Sequence, residues 1–96
     1  MASIYAYGIG STSFSAKIIG LQTTGSDNKP LTYERRCVWN VRESSSNLTV
    51  GSEEETISAG STEGQSFTFS GLSPSTYYIV ICTVYRKDTG AYLNSF

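Results

Sequence analysis

Hydrophobic and polar residues alternate along most of the chain, which is the pattern of half-buried β-strands. Cys37, Trp39 and Val41 fall on one face of such a segment, and Arg36 and Arg42 fall on the other. Since no eleven-residue window has an apolar period of 3.6 residues, no long helix is predicted. The predicted strands span residues 4–9, 13–21, 31–43, 65–72, 77–85 and 91–96, with one or two short edge strands between residues 48 and 58.

Segments rich in Gly, Ser, Asp, Asn and Pro separate these predicted strands. Residues 23–30 are one such loop, and residues 88–90 form a hairpin turn that ends in Gly90. Roughly seven short strands with regular turns predict an all-β fold, a two-sheet antiparallel β-sandwich. Because loops on a rigid sandwich often carry recognition, loops 23–30 and 86–90 are candidate binding loops.

The length of 96 residues predicts a single domain over residues 1–96, which we expect to be excised from a longer multidomain protein. Seven basic and eight acidic residues give a net charge of −1, so no basic surface for nucleic acid is expected. The longest apolar run, residues 77–82, is far shorter than the roughly 20 residues that cross a bilayer. Membrane insertion is therefore not expected.

Histidine is absent, which removes the commonest general base and the commonest zinc ligand. We therefore expect no enzymatic activity, no metal site and no cofactor. The string Asp88-Thr89-Gly90-Ala91 resembles the motif of retroviral-type aspartic proteases, which act as homodimers that share a proton between two aspartates. Because it follows Arg86 and Lys87 at a charged hairpin tip, a plain turn is favoured and the protease is a remote alternative.

Glu53, Glu54 and Glu55 form an acidic triplet near the predicted edge strands. Charges on short edge strands oppose sheet-edge aggregation, whereas a calcium site needs six or more well-spaced oxygen ligands. The triplet is thus predicted to be a solvated sheet edge.

Residues 72–84 have the sequence LSPSTYYIVICTV. The spacing of Leu72, Pro74, Thr76 and Tyr78 resembles the L-x-P-x-T-x-Y corner and sixth strand of the fibronectin type III domain. This resemblance implies an immunoglobulin-like sandwich in which these four residues form a structural corner. Tyr78 would bury its ring and hydrogen-bond its hydroxyl to the corner backbone.

Two cysteines fall on predicted inward positions of strands that neighbour each other in such a fold, Cys37 and Cys82. They could form a disulfide across the strands, or remain buried free thiols that act as small hydrophobes. Free thiols are the favoured interpretation, and without histidine neither thiol has an activating neighbour.

The opposite face of the strand 77–85 is unusually apolar for a surface exposed to water. Its outward residues, with one from the neighbouring strand, are Val38, Tyr77, Ile79, Ile81 and Tyr85. They predict a contact surface. The alternatives are that arginine side chains from the neighbouring strand cover this face, or that these residue types simply favour strands.

The resemblance implies a non-catalytic structural, adhesion or docking module of a larger extracellular, surface or phage protein. Its partners would be neighbouring domains of the same chain or another protein, and its location secreted, cell-surface or virion. The alternative is a carbohydrate-binding module, since sugars stack on exposed tyrosines. The tyrosines available for this are Tyr5, Tyr7, Tyr33, Tyr85 and Tyr92.

Overall fold

Seven β-strands and no helix make up the computed structural model, which describes residues 2–96. In chain order the strands are β1 (Ser3–Tyr7), β2 (Phe14–Ile19), β3 (Arg35–Glu43), β4 (Thr49–Ile57), β5 (Phe67–Phe69), β6 (Tyr78–Arg86) and β7 (Tyr92–Ser95). The predicted all-β fold is confirmed.

The strands form two antiparallel sheets, one of three strands in the order β1-β2-β5 and one of four in the order β4-β3-β6-β7. Their inner faces meet in one hydrophobic core, as in a β-sandwich. The buried core residues are Ala16, Ile18, Leu21, Cys37, Trp39, Val41, Ile57, Phe67, Phe69, Cys82 and Val84.

The two longest inner strands, β3 and β6, pair along their whole length, from Arg35 opposite Arg86 to Glu43 opposite Tyr78. Because side chains alternate across a strand, Trp39 and Val41 point into the core and are fully buried, as predicted. Trp39 packs against Phe67 of the other sheet, with ring centroids 6.1 Å apart.

Several strand bounds differ from the prediction. β4 is one strand of nine residues rather than short pieces, with a register shift opposite Val41 and Arg42. β1 ends at Tyr7, because Gly8 adopts a φ of +60° that an extended strand does not allow. At the predicted hairpin turn Gly90 has a φ of +74°, the left-handed conformation that glycine favours.

The acidic triplet is not uniformly solvated. Glu53 and Glu54 are exposed, whereas Glu55, which lies opposite the inward-facing Cys37, is buried. Its carboxylate accepts hydrogen bonds from Trp39 Nε1 at 3.1 Å and from the backbone N–H of Gln65 at 2.9 Å. The prediction of a solvated edge is therefore wrong for Glu55, which links the edge strand β4 to the segment that enters β5.

Arg35 is a second buried charge, with only 3% of its surface exposed. Its guanidinium donates hydrogen bonds to the carbonyl oxygens of Gln22 at 2.9 Å and of Ser58 and Ser61 at 2.7 Å each. Burial lowers the pKa of Arg35 from its ordinary value. The carbonyl dipoles replace part of the lost hydration, so Arg35 fastens the loop after β2 to the loop after β4.

Candidate functional site

The predicted contact surface lies on the outer face of the four-stranded sheet. Tyr77 precedes β6 and is 87% exposed, and Ile79 is 41% exposed. Val38, Ile81 and Tyr85 are each partly covered. The register places polar residues between them, since Ile79 lies opposite Arg42 and Ile81 opposite Asn40. The apolar surface is therefore a broken strip rather than a continuous patch.

Arg36 covers one end of this strip. Its guanidinium lies 4.8 Å from the ring centroid of Tyr85 and pairs with Glu54 at 3.2 Å. Tyr92 meets the Tyr85 ring edge-on at 6.2 Å between centroids. Tyr85 is thus held by its own neighbours, whereas Tyr77 and Ile79 are left open to water.

Arg42 lies at the other end of the strip, opposite Ile79. Its Nε atom is buried, and in residues 2–96 no partner accepts its hydrogen bond. The two arginines do lie on this face, as one alternative predicted, but they leave Ile79 uncovered.

The corner that precedes β6 is a compact turn. Ser75 has a φ of +56°, and the Thr76 hydroxyl donates to the carbonyl of Pro74 at 3.2 Å. The Tyr78 hydroxyl accepts a hydrogen bond from the backbone N–H of Ser73 at 2.8 Å, and its half-buried ring packs on the core. Leu72 is tied to the preceding β1–β2 connection, where its N–H donates to the carbonyl of Thr12 at 3.0 Å.

A groove of about 590 Å³ opens beside this corner. It lies between the β1–β2 connection, the corner and the first half of β6. Its lining residues are Ala6, Ile9, Gly10, Ser11, Ser13, Phe14, Leu72, Ser73, Ser75, Thr76, Tyr77, Tyr78 and Val80. Sequence reasoning missed this groove, since its lining residues come from segments far apart in the chain.

A second cavity, of about 470 Å³, lies under the loop 23–30 at the other end of the sandwich. Leu21, Tyr33, Arg35 and Phe96 are among its lining residues. The loop itself is folded back as a small hairpin, because Gly25 N–H donates to Lys29 O at 2.9 Å. The two terminal nitrogens of Arg35 bind carbonyl groups, whereas its buried Nε has no partner among residues 2–96.

Cys37 and Cys82 are free thiols and fully buried. They lie on adjacent strands but not opposite each other, because Cys37 pairs with Val84 and Cys82 pairs with Trp39. Diagonal positions of this kind are about 7–8 Å apart, beyond the usual Cα separation of a disulfide. The hydrogen bond with Cys37 and burial both raise the pKa of the Cys82 thiol. The same hydrogen bond lowers the pKa of the Cys37 thiol, and complete burial shields both sulfur atoms from water.

Asp88 lies at the tip of the β6–β7 hairpin. Its two carboxylate oxygens accept hydrogen bonds from Arg86, one from Nε at 2.7 Å and one from Nη2 at 3.1 Å. This hydrogen bonding and charge lower the pKa of Asp88. Arg86 also stacks on Tyr33, 4.2 Å from the ring centroid. Asp88 is therefore an exposed carboxylate that pairs with an arginine of its own turn, unlike the buried, proton-sharing pair that an aspartic protease uses.

The five candidate tyrosines fall in three separate places. Tyr5 and Tyr7 stack on each other on β1, with centroids 5.3 Å apart. Tyr85 and Tyr92 lie on the outer face of the other sheet, and Tyr33 is covered by Arg86. No single planar platform for a sugar ring results among them.

Among residues 2–96 there is no group of three His, Cys, Asp or Glu side chains that could hold a metal ion. No helix long and apolar enough to cross a membrane occurs in that range. In comparisons with known proteins, no family model, no curated protein and no solved structure matches this chain.

Proposed function

We propose that this chain is a fibronectin type III-like module that acts as a non-catalytic docking or structural unit of a larger protein. The observation that carries the proposal is the corner before β6, where Tyr78 accepts a hydrogen bond from Ser73 N–H. Such a bond between the strand's first tyrosine and the preceding corner is what the fibronectin-like spacing implies.

The arrangement of strands supports the same proposal. The fourth strand pairs with the third rather than with the fifth, giving three strands against four. A constant-type immunoglobulin domain instead places its fourth strand beside the fifth and bridges its sheets with a disulfide. Here Cys37 and Cys82 lie in one sheet and are free. Both features favour the fibronectin-like alternative.

Docking through the outer face of the four-stranded sheet is the role that fits these surfaces. Ile79 and Tyr77 are exposed, and Ile79 lies opposite Arg42 of the neighbouring strand. Apolar residues beside an arginine fit a protein surface that offers apolar side chains with a carboxylate among them. We propose a neighbouring domain, of the same polypeptide or of another protein, as this partner.

The test joins two changes on the outer face of the four-stranded sheet. Ile79→Lys places a charge on the exposed apolar strip, and Ser52→Lys places it on the edge strand β4, outside the strip. Both should leave the far-ultraviolet circular dichroism unchanged. Association of the chain in sedimentation velocity, alone or with the flanking domains of its parent protein, should be lost for Ile79→Lys only.

The same samples test the carbohydrate alternative. A docking module should migrate unchanged in affinity electrophoresis with soluble polysaccharides. Retardation that disappears in Tyr5→Ala would favour the sugar-binding alternative, and association insensitive to Ile79→Lys would remove the outer face as the docking surface.

A further inference from the structure

The turn between β3 and β4 has all its side chains open to water, since every residue from Ser44 to Val50 is exposed. Two backbone hydrogen bonds close the turn. The N–H of Asn47 donates to the carbonyl of Glu43 at 2.8 Å, and the N–H of Glu43 donates to the carbonyl of Leu48 at 2.9 Å. Asn47 has a φ of +59°, in the left-handed region that asparagine adopts more readily than most residues. The backbone therefore fixes the turn, and its side chains are free for other contacts.

Asn47 differs from the other asparagines of the chain in the residue that follows two positions later. At that position Asn47 has Thr49, whereas the other three asparagines have proline, arginine or phenylalanine. Asparagine, any residue except proline, then serine or threonine is the sequence that accepts N-linked oligosaccharides in secreted proteins. Asn47-Leu48-Thr49 satisfies this requirement, and the structure places it in a surface turn.

The side-chain amide of Asn47 takes no part in holding the turn. The side-chain hydrogen bonds here join Ser45 Oγ to Glu43 at 2.9 Å and the amide of Asn40 to Thr49 Oγ1 at 3.3 Å. Within residues 2–96 none of them uses the Asn47 amide. Replacing a hydrogen on Asn47 Nδ2 by a sugar therefore breaks no contact of the fold.

We propose that Asn47 is an N-glycosylation site, which receives an oligosaccharide from a lipid-linked pyrophosphate donor. A bond forms between Asn47 Nδ2 and the anomeric carbon of the first sugar, and the bond from that carbon to the pyrophosphate oxygen breaks. The amide gives up one proton, and the lipid pyrophosphate leaves. The proposal rests on the extracellular location that the fibronectin-like resemblance implies, because this modification belongs to secreted proteins.

The folded chain has room for the sugar on both sides of Asn47. Ser46 and Leu48 are exposed, and Leu48 has 65% of its surface open to water. No charged residue lies between positions 44 and 52. Sugar rings present C–H groups as well as hydroxyls, so the first sugar can cover part of the Leu48 side chain. The oligosaccharide would thus shield an apolar residue that the sandwich itself leaves open.

The decisive sample is the parent protein purified from the cells that make it. Trypsin cuts after Arg42 and Arg86, and the peptide 43–86 contains Asn47 as its only asparagine. We expect this peptide to carry one oligosaccharide in mass spectrometry. Peptide N-glycosidase F in ¹⁸O water should remove the sugar and leave an ¹⁸O-labelled aspartate at position 47. An unmodified peptide from the purified parent protein would overturn the proposal.

Variants of the chain, secreted from cultured animal cells behind a cleavable signal, locate the acceptor. Asn47→Gln and Thr49→Ala should both abolish the modification, whereas Thr49→Ser, which keeps the hydroxyl, should retain it. The fluorescence of Trp39 shows whether each variant is folded. A sugar that persists in Asn47→Gln would be attached elsewhere, and a folded, secreted parent chain without sugar would equally exclude this site.

The thermal stability of the glycosylated chain tests whether the turn accommodates the sugar. Its unfolding midpoint should equal or exceed that of the same sample after enzymatic deglycosylation. A clearly lower midpoint would mean that the folded turn has no room at Asn47. The association test of Ile79→Lys can be carried out in the unglycosylated Asn47→Gln background, so its outcome is independent of the outcome at Asn47.

Discussion

The two lateral sides of the sandwich, where one sheet meets the other without backbone pairing, differ in structure. On the side of β4 and β5, the Glu55 carboxylate spans the two sheets and accepts hydrogen bonds from Trp39 and Gln65. On the side of β1 and β6, the sheets part around a groove, and the edge of β6 is left unpaired at Val80. We refer to these as the closed flank and the open flank.

The two flanks differ in what accepts hydrogen bonds from their backbone and indole N–H groups. A buried donor without a partner costs about 1–3 kcal/mol, so the closed flank needs an acceptor inside the protein. Glu55 supplies one although it lies in an edge strand. The donors of the open flank remain next to the groove, where water can reach them. The closed flank therefore stabilises the fold through an acceptor inside the protein, whereas the donors of the open flank depend on solvent.

The largest expected effect comes from removing the acceptor of the closed flank. Glu55→Ala leaves the N–H groups of Trp39 and Gln65 without a partner, so we expect it to lower the free energy of unfolding by about 3 kcal/mol. Urea denaturation followed by the fluorescence of Trp39 measures this. Glu54→Ala, which removes an exposed ion pair one residue away, should cost less than about 1 kcal/mol. Equal losses would mean that burial of Glu55 has no energetic importance.

A second, smaller effect tests how tightly the closed flank is packed. A Cβ atom at Gly64 would overlap Glu55 Oε1, so Gly64→Ala should displace the carboxylate and cost about 1–2 kcal/mol. In the Glu55→Ala background the same change should cost little, because the carboxylate is already gone. Additive losses in this double-mutant cycle would contradict the contact.

On the open flank, the hydrogen bond from the Ser73 N–H to the Tyr78 hydroxyl ties the corner to β6. Tyr78→Phe removes the acceptor for Ser73 N–H, and since that group lies at the surface we expect a loss of about 1 kcal/mol. Thermal unfolding with Tyr77→Phe as the matched control should show the loss for Tyr78 alone. A shift of the same size in both variants would indicate that the hydroxyl bond contributes nothing.

The smallest effect is expected away from both flanks, at the hairpin tip. Arg86 lowers the pKa of Asp88, so the ionised pair favours the folded state above the ordinary pKa of about 3.9, and this contribution disappears as the pH falls through the lowered folded value. Asp88→Asn should therefore lower the unfolding midpoint slightly at pH 7 and not at all in strong acid. If the difference in unfolding midpoint between Asp88→Asn and the unchanged chain grew as the pH falls, the prediction would be wrong.

Alternation along the strands was sufficient to predict which residues fill the core. Cys37, Trp39 and Val41 are inward and buried because a strand turns every second side chain to the same face. The same parity extends to Arg35, so its burial could have been predicted from the strand that contains these residues. Because charged side chains are rarely buried, the residue type of Arg35 favoured an outward position instead.

The site depends on relations between strands that lie far apart in the chain. Glu55 is buried because β4 runs as one strand opposite β3, and the triplet alone does not show which of its members faces inward. The groove is likewise lined by segments far apart in the chain, from β1, the β1–β2 connection, the corner and β6. Register and strand length of this kind follow from turns and tertiary packing, which local sequence patterns do not encode.

The one-sided pairing of β6 has a consequence for amide hydrogen exchange. Ile79 and Ile81 direct their N–H groups toward β3, whereas the N–H of Val80 points into the groove. Protection from exchange should therefore alternate residue by residue in the first half of this strand and become continuous from Cys82 onward.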